Sequence, residues 1–386
     1  MTDSVLHEAV GNVSEIIKAE VFVHELPVRR VRRHGSGDVA GGVRNVFVRL
    51  EAACGATGWG EAAPWPVFTG TAEANFSALK HYLLPAILGG HAMEAPSLLA
   101  DMDRRLVGHP EAKAAIDSAL LDLAGQQLGA PAWMSLGGCY NRQLPLSVSL
   151  ADPEVEADID LVQRLLSEGV RIFKIKTGFL EHKDELIRLE QLVDAAGANS
   201  SVRVDYNQGL PCFDARRKLV DLDSFGFTFI EQPFAGRYLE QLAELRDHLK
   251  TPILADEAVF SLSDLHRTVG LRAADAISIK IMKCGGPRAG AQLAAAAEGA
   301  GLSTYGGDMF ETAIAHAAGA HMICATKGFD LGCEFYHSTY HLERDLQSEP
   351  FWVKDGYVQV PDRPGLGIHV DEDRMRGEAL ASCVVN

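Results

Sequence analysis

Positive charge is scarce in this chain. Lysine and arginine number 36 against 52 acidic residues, a formal net charge of −16 over 386 residues. That balance argues against nucleic acid or an anionic membrane as a principal partner. A small anionic substrate stays open, because charge inside a site can oppose the net charge. No apolar run reaches the roughly 18 residues of a membrane-spanning helix. The opening stretch MTDSVLHEAVGNVSEI is too polar for the hydrophobic segment of a signal peptide. Cysteine is also sparse: seven residues, odd in number, scattered, with no pair at zinc-ligand spacing. A reducing, cytoplasmic setting is therefore expected in preference to a disulfide framework. Cys284 and Cys333 are read as small buried thiols.

What is present suits a globular protein, with 47% hydrophobic and 23% charged residues. In residues 1–142, IKAEVFVHELPV and VRNVFVRLEA alternate like half-buried strands. AEANFSALKHYLLPAI and EAKAAIDSALLDLAGQQLG carry apolar residues at helical spacing. An α+β capping domain is expected there, completed by the tail 345–386 with its PDRPGLG turn signals.

A rhythm follows over residues 143–344. Strand-like runs start at 144, 171, 201, 227, 252, 276, 302 and 329, with helical patterns between most of them. Eight units at that spacing predict an α/β fold, a modified (β/α)8, TIM-like barrel, whose eighth helix is poorly marked. Such barrels carry their active sites at the C-terminal ends of the strands.

Unusual polar residues gather at those ends. Lys174 and Lys176 lie in RIFKIKTG, on the same face of a strand that otherwise reads as buried. Asp205, Glu231 and Asp256 end the next three runs, and Lys280 and Lys283 fall in the sixth. Asp308 and Glu311 follow the seventh, and Glu334 lies in the eighth. Three converging carboxylates repel one another unless a cation joins them. Oxygen ligands with open positions suit Mg²⁺. The plainer alternative is three independent helix-start acids. Lys176 and Lys280, on strands 2 and 6 of eight, would then face each other across the metal as proton-transferring bases. A dry pocket and a nearby cation would lower their pKa values. The plainer alternative for either lysine is a solvated rim residue.

In combination these motifs resemble the enolase superfamily and, within it, the muconate lactonizing enzyme (muconate cycloisomerase) subgroup. KIK (174–176), DYN (205–207), EQP (231–233), ADE (255–257) and IKIMKCGG (279–286) carry the likeness. GGDMFET (306–312), LGCEFY (331–336), GWGEAAP (58–64) and RPGLG (363–367) extend it. The resemblance implies Asp205, Glu231 and Asp256 as Mg²⁺ ligands, with Mn²⁺ as a substitute, and Lys176 and Lys280 as the acid/base pair. It implies Lys174 beside the substrate carboxylate, Asn207 and Glu257 as supporting residues, and Glu334 as the eighth-strand acid of cycloisomerases. It also implies a small carboxylate substrate and a homo-oligomer. Gly306-Gly307-Asp308 replaces the seventh-strand histidine of mandelate-racemase-like members. FDLGCEFY has Asp330 but no second aspartate two residues on, which counts against dipeptide epimerisation.

Specificity is less legible. Asp308 would disfavour a dianion such as muconate and suit a cationic group, or else cap the following helix. In VRRVRRHGSGD, Arg29, Arg30, Arg32 or Arg33 would meet a distal carboxylate, or else form a solvated loop. Trp65 and Phe68 are either an apolar or cation–π wall or core. An isomerase, a dehydratase of a hydroxyproline-like or other β-hydroxy acid, and a non-catalytic binding barrel all remain open. The intact acids and paired lysines count against the last.

Overall fold

The computed structural model describes residues 14–386, so most of the polar opening stretch lies outside the described residues. No described helix is long and apolar enough to cross a membrane.

The capping domain is built on a four-stranded antiparallel sheet. Strand Ile16–Pro27 sits between Gly42–Ala52 and the C-terminal strand Ala381–Val385, and Thr57–Ala62 forms the far edge. Helix Pro110–Leu128 lies across this sheet, starting with proline at its first position and ending on Gly129 in the left-handed conformation. Backbone meets backbone where the helix crosses the edge strand: a Cβ on Gly60 would lie 1.8 Å from the Ala115 carbonyl oxygen. Only glycine allows that approach. Asp122 on this helix accepts from Trp59 N and Leu366 N, both at 2.8 Å, joining the GWGEAAP and RPGLG stretches through one carboxylate.

The tail is held to the sheet by charge as well as by strand pairing. Glu20 accepts from Arg376 Nη1 at 2.7 Å and Nη2 at 3.0 Å, and from Arg49 Nη1 at 3.0 Å. The Arg376 hydrogen bonds, opposed by burial, bring its pKa down to about 2 from 4.5. A depressed carboxyl pKa stabilises the fold above the unfolded value and loses that effect as pH falls through the folded value. Glu20→Gln is therefore expected to cost about 2 kcal/mol at pH 7. The gap to the parent protein in thermal unfolding should close between pH 4.5 and about 2. An unchanged gap at pH 2 would show that Glu20 acts by packing instead.

The barrel is a curled parallel sheet of seven strands in sequence order: Ser147–Leu150, Ile172–Lys176, Ser201–Asp205, Ile230–Glu231, Ile253–Ala255, Ala276–Ile279 and Ser303–Gly306. The eighth predicted strand, 329–336, is not one. Gly332, at φ 83°, breaks the extended run, and the segment closes the barrel through bridges at Cys333 to Leu146 and Gly306. Backbone bonds from Ser147 N to Cys333 O (2.8 Å) and from Glu334 N to Gly306 O (2.8 Å) complete the seam. One helical turn, His337–Tyr340, stands where an eighth helix would be. Phe173 and Ile175 point outward into the main hydrophobic core. The alternation of the strand then turns Lys174 and Lys176 into the barrel.

Candidate active site

The barrel floor explains how two lysines sit inside. Arg203, in register with Lys174, lies between Phe229 (4.8 Å) and Tyr305 (5.1 Å) and donates to the Leu331 carbonyl at 2.7 Å. Lys174 Nζ stands 5.2 Å above the same Tyr305 ring. It donates to Glu334 Oε2 at 2.6 Å and Glu231 Oε2 at 2.9 Å, with Asp205 Oδ2 at 3.3 Å. Burial alone would lower its pKa, but Glu231, Glu334 and Asp205 outweigh burial and hold it well above the usual lysine range. Ser149 Oγ donates to the other oxygen of Glu334 at 2.7 Å.

Asp205 and Glu231 are register partners on neighbouring strands, and Asp256 follows the next strand directly. All three are buried, as expected from their strand-end positions. Burial pushes Glu231 up to about 8, with Asp205 and Asp256 adding to the push and Lys174 opposing it. Each end of this acid run carries a lysine. Lys176 Nζ donates to Asp205 Oδ2 at 2.6 Å and Asn207 Oδ1 at 3.0 Å. Lys280 Nζ lies 2.8 Å from Asp256 Oδ2. Burial lowers the Lys280 pKa, but attraction to Asp256 prevails and raises it, with Lys174 opposing. Lys280 ends its strand and opens the turn Ile281–Cys284, and Lys283 lies on that turn. Lys283 donates to Asp256 Oδ1 at 2.7 Å and to the Asp256 and Ser278 carbonyls.

The supporting residues hold the strand ends. Asn207 N donates to Asp205 Oδ1 at 2.8 Å, and Asn207 Nδ2 reaches Glu257 Oε1 at 3.4 Å. The Gln232 side-chain carbonyl accepts from Asp256 N (3.0 Å) and Ala258 N (3.1 Å), fixing the fifth strand end from the fourth. Gln232, Arg203 and Lys283 had no assigned role in the sequence reading. Each stands within two or three residues of a predicted site residue, which was the available signal.

Two groups of side chains have the chemistry to hold a cation. In the strand-end acids, Glu231 Oε1 is buried and makes no hydrogen bond, and Asp256 Oδ2 is buried with only the Lys280 ammonium beside it, at 2.8 Å. Such oxygens fit a hard divalent ion. The second group, Asp308, Glu311 and His316, follows the seventh strand. It is fully buried, with one ligand atom from each within 4.8 Å of the others. His316 escaped notice in the sequence because it lies a helical turn inside the apolar run AIAHAAGAHMICA.

Asp308 does not cap the helix that follows it. Thr312 does, while Glu61 of the capping domain accepts from Thr312 Oγ1 at 2.6 Å and Ala315 N at 3.1 Å. Asp308 is instead buried, with one oxygen 3.2 Å from His316 Nε2.

Arg32 is corrected most clearly. It is not a solvated loop charge. It is buried, with its guanidinium bonded to His341 Nε2 (2.7 Å), the Ser149 carbonyl (3.2 Å) and Tyr336 Oη (3.2 Å). The segment folds as a short hairpin, Arg32–His34 against Gly37–Val39, laid over the barrel mouth. Arg30 and Arg33 pair with Asp152 and Asp38, and Arg29 reaches the Glu343 carbonyl. Trp65 is half-buried against Phe310 (5.3 Å) and His34 (5.1 Å). Phe68 presents its ring to Lys280 Nζ at 5.1 Å, and both aromatics pack against the main core. Cys333 is buried at the barrel seam, and Cys284 is partly buried.

Comparison with known proteins agrees with this architecture. Residues 18–137 match the mandelate racemase/muconate lactonizing enzyme N-terminal domain, and residues 157–374 match the enolase C-terminal domain-like family. A chloromuconate cycloisomerase of Cupriavidus pinatubonensis is 33% identical over 94% of this chain and 98% of its own. An N-succinyl-L-Arg/Lys racemase of Bacillus cereus is 32% identical over 86% of this chain and 89% of its own. The crystal structure of a muconate cycloisomerase from Azorhizobium caulinodans is 43% identical, with a TM-score of 0.83 over 95% of this chain and 99% of that one. Enzymes of this family are metal-dependent. With both domains matched in order, the chain belongs to the mandelate racemase/muconate lactonizing enzyme family and is an enzyme of the muconate lactonizing subgroup of the enolase superfamily.

Proposed function

We propose that this enzyme removes and returns a proton on the carbon α to a substrate carboxylate, through an enediolate, in a muconate-cycloisomerase-like isomerisation: a cycloisomerisation, racemisation or epimerisation. The observation that carries this reading is the order lysine, acids, lysine around the sheet. Lys176 rests on Asp205 at one end of the acid run and Lys280 on Asp256 at the other. A substrate seated over the acids meets one amine from each side. One lysine takes the proton as base, and the other delivers a proton to the opposite face. Lys174 lies deeper and closer to the centre, placed to attract the substrate carboxylate. Glu334 and Ser149 hold it there.

Asp205, Glu231 and Asp256 would hold a divalent cation, Mg²⁺ with Mn²⁺ as a substitute. The chemistry supplied by that cation is charge stabilisation of the enediolate. Asn207, Gln232 and Lys283 keep the three carboxylates in place, and the hairpin and aromatic wall exclude water from the mouth. The relatives named above are isomerases by name, which favours proton return over loss of a leaving group.

The test is a mass-spectrometric screen of small carboxylates in D₂O with Mg²⁺. Deuterium gained at the α-carbon without loss of water supports the proposal, as does a lactone formed from muconate. Loss of water from a β-hydroxy acid would replace isomerase with dehydratase while leaving the base assignment intact. No exchange on any carboxylate would overturn it.

A further inference from the structure

Resting on the proton-transfer reading, we infer that the substrate is a zwitterion: an amino or imino acid whose cationic nitrogen lies between Asp308 and the aromatic wall. Asp308 is only 6% exposed, and one of its oxygens meets His316 Nε2 at 3.2 Å. Among the described residues no lysine or arginine forms an ion pair with this carboxylate, whose one charged-group contact is His316. A buried acid in that condition is costly unless something brings it a positive charge.

The position of Asp308 indicates what that partner is. A Cβ on the preceding Gly307 would lie 2.9 Å from Lys280 Cε, so the seventh strand end runs along the Lys280 side chain. A group bound by Asp308 is therefore close to the carbon that Lys280 serves. Phe310, two residues on, packs on Trp65, and Phe68 covers Lys280. An acid at the seventh strand end and aromatic faces around Lys280 suit an ammonium or alkylated nitrogen. The imidazoles of His34 and His337 beside Phe310 are held neutral by burial, so they neither compete for Asp308 nor repel a cation.

The same residues disfavour a second carboxylate. Arg30, Arg32 and Arg33 each have partners outside the reacting centre. At the seventh strand end Asp308 itself repels a second carboxylate and attracts a cationic nitrogen. The N-acyl nitrogen of a succinylated amino acid carries no charge to satisfy Asp308.

The inference is tested on the Mg²⁺-loaded protein in D₂O with the common amino acids, proline, N,N-dimethylproline, N-acetylproline and cis,cis-muconate. We expect α-exchange on one or more zwitterions with kcat/KM at least about 10-fold above any N-acyl or dianionic compound. Asp308→Asn should raise KM for that zwitterion about 10- to 100-fold with a much smaller change in kcat, as for a lost charged hydrogen bond. Calorimetric binding of the same compound to Lys280→Ala should weaken by a similar factor when Asp308→Asn is added. Preferred turnover of an N-acyl amino acid or muconate would overturn the inference and leave the proton-transfer proposal standing. An unchanged KM in Asp308→Asn would do the same. No exchange on any compound would overturn both.

Discussion

Lys280→Ala should reduce turnover by about 10³-fold or more, and Lys176→Ala should do the same, each with the fold intact. The fold should survive because neither lysine is the sole partner of its acid. Without Lys280, Asp256 keeps Lys283 on Oδ1 at 2.7 Å and its amide on Gln232. Without Lys176, Asp205 keeps Lys174 at 3.3 Å and the Asn207 amide at 2.8 Å. Circular dichroism and melting temperature should therefore change little beside the loss of rate. The two variants should differ in a telling way on a chiral substrate. If the lysines serve opposite faces, each variant loses proton removal from one enantiomer first, and exchange into the other persists longer. Wild-type rates in both variants would mean that neither lysine is the base.

Much of that prediction was available from the sequence, for identifiable reasons. Strand alternation sends Lys174 and Lys176 to one face whatever surrounds them, and regular spacing of the runs implies barrel closure. Acids and lysines at strand ends then had to converge. The misjudged features depended on partners distant in sequence or on local backbone. Arg32 reads as a loop charge in VRRVRRHGSGD, and nothing nearby announces His341, more than 300 residues away. FDLGCEFY alternates like a strand, but Gly332 turns the chain where its Cβ would lie 2.7 Å from the Pro145 carbonyl oxygen, leaving room for bridges only. His316 hides in an alanine-rich helix whose hydrophobicity suggests core alone.

Chelation should have an effect as large as loss of a lysine. Treatment with EDTA is expected to remove measurable turnover, and added Mg²⁺ or Mn²⁺ to restore it. The structure makes the outcome informative beyond activity because it offers two candidate cation sites. The strand-end acids include a buried Glu231 oxygen with no hydrogen bond, whereas in the other group His316 already sits on Asp308 and Glu311 accepts from Met309 N. Metal content and calorimetric affinity should therefore fall at least about 10-fold in Asp256→Asn and Glu231→Gln, each of which removes a charged ligand. His316→Asn should bind the ion as the parent does. The reverse pattern would move the cation to the seventh strand end, deprive Asp308 of the role of receiving a substrate nitrogen, and leave the repulsion among Asp205, Glu231 and Asp256 to Lys174, Lys176, Lys280 and Lys283. Those lysines already contact the acids directly, so the metal-free fold should remain assembled in either case. Loss of activity on chelation would then report loss of chemistry, with unfolding excluded by an unchanged melting transition in the absence of substrate.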